Sequence, residues 1–129
     1  MKQKIIICGA GRVGISITEH LSNEGFDITV IDSNVDAIQK ATELYDVQGV
    51  LGLASHPNVL EDAGINDADM IIAVTQSDEI NIAACHIAKS IFSTPTMIIR
   101  IRSKAYLEPR YVEYLLKDVK VNRIISPED

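Results

Sequence analysis

The sequence has only two cysteines, Cys8 and Cys85, and neither belongs to a CxxC pair. A disulfide scaffold is excluded, and both thiols, set in apolar segments, are expected to be buried and reduced. No apolar run approaches the roughly 18–20 residues that a membrane span requires. Met1-Lys2-Gln3-Lys4 leads into only five apolar residues, Ile5 to Gly9, too few for the core of a signal peptide. The expected compartment is the cytoplasm, without insertion into lipid. Basic charge is also scarce: twelve Lys and Arg stand against eighteen Asp and Glu, a net charge of −6. An acidic domain lacks the footprint that phosphate backbones need, which argues against nucleic acid as a partner. The three histidines, His20, His56 and His86, have no ligand-like spacing, so no metal site is expected. Internal repeats and low-complexity segments are missing as well. What remains is an ordinary globular chain of 129 residues, one domain in length.

Apolar residues alternate between two periods. Ile5-Ile6-Ile7-Cys8, Ile28-Thr29-Val30-Ile31, Met70 to Val74, Met97 to Ile101 and Val121 to Ile125 read as buried strands, and Val47 to Leu51 as a weaker one. Helical spacing appears from Arg12 to Ser22, ending at Gly25 as a left-handed cap. Ser33 is the expected cap of a helix over 34–44, with Ala37, Ile38, Ala41 and Leu44 on one stripe. Pro57 opens a short helix that ends at Gly64. A further helix over 78–92 turns Ile80, Ala83, Ala84, Ile87, Ala88 and Ile91 inward, and the last runs over 105–116, disturbed at Pro109. Strands alternating with helices imply parallel pairing and right-handed crossovers. The expected fold is α/β, a Rossmann-like doubly wound parallel sheet of about six strands with helices on both faces. Residues 1–129 read as one nucleotide-binding domain, and an end so soon after a strand reads as an N-terminal domain cut from a longer chain.

Gly9-Ala10-Gly11-Arg12-Val13-Gly14 matches G-x-G-x-x-G, directly after a strand and at the opening of a helix. In that context the first glycine permits the tight turn and the second lets backbone approach a pyrophosphate. The third lets the helix pack closely on the sheet. Exposed amides and the helix dipole then favour an anion. Asp32 ends the second strand, where a carboxylate accepts hydrogen bonds from an adenosine ribose; the alternative is that it caps the next helix. Ser33 and Asn34 provide no cation for a 2′-phosphate, so NAD or an adenine nucleotide is favoured over NADP. Arg12 either lies over phosphates or is a solvated residue at the helix start. After the fourth strand come Thr75, Ser77, Asp78 and Asn81. They stand where ligands bind in open parallel sheets, and they also suit ordinary helix capping. Arg100 and Arg102, at the end of the fifth strand, are within reach of a phosphate or of a surface ion pair. No catalytic constellation is visible, and the chain does not read as an enzyme.

Several stretches together resemble one family: Ile6 to Gly14, Ile28 to Asp32, Ser55-His56-Pro57, Ala68 to Thr75, Ser77 to Asn81, Arg100 to Ser103 and Ile125 to Glu128. This is the N-terminal nucleotide-binding domain of TrkA-type potassium-uptake regulators, also called the RCK or KTN domain, and the resemblance covers essentially the whole chain. It implies a peripheral cytoplasmic subunit, forming a homo-oligomer, that gates a potassium-translocating membrane subunit at the inner face of the cell membrane. The ligands implied are NAD or NADH, with ATP/ADP at the same site. Carried over by position, Gly9, Gly11, Arg12 and Val13 hold phosphates and Asp32 the ribose, with Ala10, Gly14 and Ser33 counted among the cofactor-binding residues. Gly52, Leu53, Ala54 and Ser55 flank adenine. Val74, Thr75, Ser77, Asp78 and Asn81 line the far half, and Arg100 approaches the phosphates. Leu53 departs from the acidic residue that many relatives carry there, so no polar contact is expected from it. Two other readings stay open: the dinucleotide-binding domain of an NAD-dependent dehydrogenase without its substrate domain, and a redox-sensing module of a transcription regulator.

Overall fold

A computed structural model of the chain describes residues 2–126. Along it run β1 (Lys4–Cys8), α1 (Arg12–Asn23), β2 (Asp27–Asp32), α2 (Val35–Leu44), β3 (Gln48–Leu51), α3 (Pro57–Asp62), β4 (Met70–Ala73), α4 (Asp78–Ser90), β5 (Thr96–Arg100), α5 (Pro109–Tyr114) and β6 (Arg123–Ile125). A 3-10 turn, Ile65–Asp67, precedes β4, and a wide π-helical turn, Leu115–Val119, continues α5. The strands form one parallel sheet in the order β3-β2-β1-β4-β5-β6. The Rossmann-like doubly wound fold is therefore as expected.

Strand periodicity explains the two cores. Ile5 and Ile7 point to one face, where they meet Ile28, Val30 and Ile72 beneath α1 and α2. Ile6 and Cys8 point to the other, with Ile31, Ile71, Met97 and Ile99 beneath α3, α4 and the π turn. Because helices lie on both faces, the central strands β1 and β4 carry apolar residues on both sides. Each fully buried isoleucine contributes roughly 1.5–3 kcal/mol of transfer free energy. On the α1 and α2 face, helices cover only half of the sheet. An apolar trough of about 590 Å³ runs there beside α1, with Ile17, Leu21, Ile72 and Ile98 in its walls.

Local chemistry moves several boundaries. The α2 cap is Asn34, not Ser33: the Asn34 side chain accepts from Ala37 N–H at 3.0 Å. Leu44 and Ile91, expected inward, are 59% and 60% exposed. Both stand at helix ends, where the apolar stripe has run past the sheet beneath it. Residues 104–108 form turns, and the last helix starts at Pro109. Proline lacks the N–H that a first-turn residue leaves unused, so it opens this helix where a disturbance within it was expected. Gly25 is left-handed as expected, at φ +85°. Of the closing Ile125 to Glu128 stretch, residues 127 and 128 lie outside the described residues.

Candidate nucleotide site

Strand order reverses between β1 and β4, and a cleft of about 770 Å³ opens there at the carboxyl ends of the strands. That is the position and size of a small-molecule site in an open parallel sheet. Gly9 leaves β1 at φ +112°, and a Cβ on it would stand 2.9 Å from the Val74 carbonyl oxygen. A Cβ on Gly14 would overlap the Gly9 carbonyl, so α1 can seat against the loop only with glycine there. At Gly11 a Cβ would meet nothing within 4 Å. The open side of the loop is thus the side that faces the cleft. Gly11 caps α1 without a side-chain hydrogen bond, and the first turn carries no acidic residue. Uncapped amides at a positive helix end favour an anion by roughly 0.3–1 kcal/mol when exposed, and more when partly buried.

Asp32 stands at the end of β2 with both oxygens already engaged. Oδ2 accepts the Ala10 N–H at 2.7 Å and Oδ1 accepts the Asn34 N–H at 2.8 Å. An ionised carboxylate has about four acceptor positions, so two remain for hydroxyl groups of a ligand. Arg12, Arg100 and Arg102 also line the cleft, with Asp32 the one carboxylate among its lining residues. Among the described residues no ion pair neutralises any of the three arginines. An excess of cations at a concave surface attracts an anionic ligand.

The expected residues separate into two groups. Gly9 to Val13, Asp32, Ser33, Gly52, Leu53, Ala54, Val74, Thr75, Ser77 and Arg100 all line the cleft. Gly14, Ser55, Asp78 and Asn81 do not line it. Gly14 acts through helix packing. Asp78 is 6% exposed, and its two oxygens accept the N–H groups of Arg102 and Ser103, each at 2.8 Å. Asn81 is fully buried and fully used. Its Oδ1 accepts from Thr75 N–H at 2.9 Å and Thr75 Oγ1 at 2.7 Å, and its Nδ2 donates to the carbonyls of Thr75 and Arg100 at 3.1 and 2.9 Å. The capping alternative holds for Ser77, whose hydroxyl accepts from Ile80 N–H at 3.2 Å. Sequence reasoning missed Asn34, Ala37, Gln76 and Ile80 as lining residues. Each lies between a strand end and the first turn of the helix that follows it, which is the signal that points to them.

Cys8 and Cys85 are both buried and free. Burial pushes both thiols upward, with the neighbouring Cys85 adding to the rise at Cys8, and Cys85 reaches about 12. Neither is a nucleophile at neutral pH.

Comparison with known proteins bears on this site. The TrkA-N domain model matches residues 5–127. The "Trk system potassium uptake protein TrkA" of Azorhizobium caulinodans is 47% identical over 126 residues, covering 97% of this chain and 28% of that protein. The chain thus spans little more than a quarter of that relative's length. In fold it is similar to the TrkA-N domain of the inner membrane protein ybaL from Escherichia coli, with TM-score 0.82 and 18% identity over 98% of this chain and 88% of that one. It is also similar to the GsuK channel bound to NAD, with TM-score 0.77 and 20% identity over 97% of this chain and 21% of that one. No helix among the described residues is long and apolar enough to cross a membrane. With the family model matched from the second residue of the first strand to beyond the last strand, the chain belongs to the TrkA-N domain family.

Proposed function

We propose that this domain is the nucleotide sensor of a regulator that gates a potassium-translocating membrane subunit, binding NAD(H) or ATP/ADP and catalysing no reaction. The observation that carries the nucleotide half is the cleft itself: an open-sided glycine loop, a carboxylate with spare acceptor positions and three arginines line it together. The potassium half is supported by the name of a relative 47% identical to this chain. In this reading Gly9 to Gly14 serve the phosphates, the first five from the wall of the cleft and Gly14 by seating α1. Asp32 and Ser33 take the ribose, and Gly52 to Ala54 lie beside adenine. Thr75, Ser77, Arg100 and Arg102 meet the groups beyond.

The ligand supplies negative charge and an adenine surface. The chain's own residues bind and orient it. Each charge-assisted hydrogen bond from a ribose hydroxyl to Asp32 contributes roughly 1.5–3 kcal/mol. A ligand shifts a conformational equilibrium only by its differential affinity for the two states, and a tenfold difference supplies about 1.4 kcal/mol per site. The segment 75–81 joins the cleft to α4, so exchange of one nucleotide for another acts on that helix. Several sites in a homo-oligomer sharpen such a response. The apolar trough beside α1 supports association, since soluble monomers rarely leave a large apolar patch uncovered. The regulator then sits in the cytoplasm against the inner face of the membrane.

Isothermal titration with NAD, NADH, NADPH, ATP and ADP tests this. Selective binding of NAD(H) or ATP/ADP, with NADPH weak, is the expected result. A folded protein that binds none of them leaves the glycine loop a purely architectural feature and overturns the proposal.

A further inference from the structure

The first turn of α4 is tied to the segment after β5 by a set of hydrogen bonds whose two central side chains, Asp78 and Asn81, are buried away from the cleft. Asp78 holds the N–H groups of Arg102 and Ser103, each at 2.8 Å, and Asn81 holds the Arg100 carbonyl at 2.9 Å. Glu79 accepts the Tyr106 hydroxyl at 2.9 Å. In return, Arg102 Nη1 donates to the Gln76 carbonyl at 3.2 Å. Asn81 also grips Thr75 through its N–H, hydroxyl and carbonyl. The ends of β4 and β5 are therefore clamped together through α4, and the residues so clamped include Thr75, Gln76, Arg100 and Arg102, which line the cleft.

A solvated capping pair leaves some of its polar atoms to water. Asp78 and Asn81 are 6% and 0% exposed, and each side-chain oxygen and nitrogen has a backbone or side-chain partner. Breaking one contact leaves a buried group unpaired, so the clamp is rigid. Arginine side chains are long, and a fixed backbone is what turns two flexible cations into a defined anion-binding wall.

We propose that Asp78 and Asn81 are positioning residues: they set the place of Arg100 and Arg102 and thereby the affinity of the cleft for the phosphate groups of a nucleotide that extend beyond the first. The inference rests on the nucleotide reading above and adds a phosphate-counting function to it. Ligand contact at Arg100 or Arg102 also reaches α4 through the same hydrogen bonds.

The test compares AMP with ATP on the unaltered protein, on Asp78→Asn, on Arg100→Ala combined with Arg102→Ala, and on all three substitutions together. Asparagine keeps one acceptor but turns an N–H group toward the second backbone amide. ATP binding is expected to weaken about tenfold in Asp78→Asn while AMP changes less than twofold, because AMP stays at the glycine loop. Adding Asp78→Asn to the double arginine variant is expected to change nothing further, a coupling that a general loss of structure does not produce. Amide exchange at Arg102 and Ser103, measured without nucleotide, is expected to quicken while the core of β1 stays protected. Equal losses for AMP and ATP, additive effects with the arginines, or unchanged exchange at 102 and 103 overturn the clamp. If AMP and ATP both bind and only their ratio fails to respond, the sensor reading stands and this inference falls. Binding of neither nucleotide to the unaltered protein overturns both.

Discussion

The Asp32 carboxylate holds the Ala10 N–H at 2.7 Å, joining the end of β2 to the glycine loop that follows β1. The bond crosses from one strand's exit to the next. It makes the acid and the glycine loop a single unit, so loss of Asp32 is expected to affect both.

Asp32→Ala is expected to weaken adenine-nucleotide binding by about 10- to 100-fold, corresponding to the loss of roughly 1.5–3 kcal/mol of charge-assisted bonding. Asp32→Asn retains one oxygen acceptor and is expected to fall between. Calorimetric titration measures both, and unchanged affinity in Asp32→Ala removes the ribose assignment.

Two glycines of the same loop are expected to fail differently. Alanine at position 14 collides with the Gly9 carbonyl, and relief requires α1 to lift from the sheet. Overpacking of this kind costs about 1–3 kcal/mol, visible in urea denaturation. At position 11 the new methyl meets open space, so stability changes by no more than about 1 kcal/mol, the scale of a cap substitution. Nucleotide binding is nevertheless expected to drop, because the methyl enters the cleft. Equal stability losses for the two variants contradict this division.

Burial raises the thiols of Cys8 and Cys85, and the sign of the linked effect follows. Below the ordinary thiol value of 9.0 both states hold the proton and stability is unaffected by it. Above it the unfolded chain loses protons first, so stability declines from about pH 9 upward, by at most about 1.4 kcal/mol per pH unit for each thiol. Replacing Cys85 with alanine is expected to flatten the alkaline limb of a stability profile. At neutral pH, iodoacetamide is expected to label neither cysteine until the domain unfolds.

Asn122 extends the pairing between β5 and the approach to β6. Its Oδ1 accepts the Met97 N–H at 2.7 Å, while its own N–H donates to the Met97 carbonyl at 2.8 Å. Asn122→Ala leaves the amide of fully buried Met97 without a partner. The expected cost is about 1–3 kcal/mol, read from thermal or urea unfolding. Asn122→Asp, which keeps the acceptor, is expected to lose less.

The sequence by itself determined the alternation of strands and helices, the parallel doubly wound sheet and the glycine loop with Asp32 behind it. These are legible because they rest on local spacing: apolar runs for strands buried on both faces, a period near 3.6 for helices, and a strand–turn–helix context around Gly9 to Gly14. Only the tertiary structure decided which polar residues near the cleft face it. Asp78 and Asn81 stand in the right segment, yet their atoms are taken by Thr75 and by residues 100–103, some twenty positions along the chain. Tertiary packing likewise exposed Leu44 and Ile91. It also brought the Arg102 side chain to the cleft. A hydrogen bond or a burial across such a separation depends on how strands pair and where helices end on the sheet, and no local spacing encodes that.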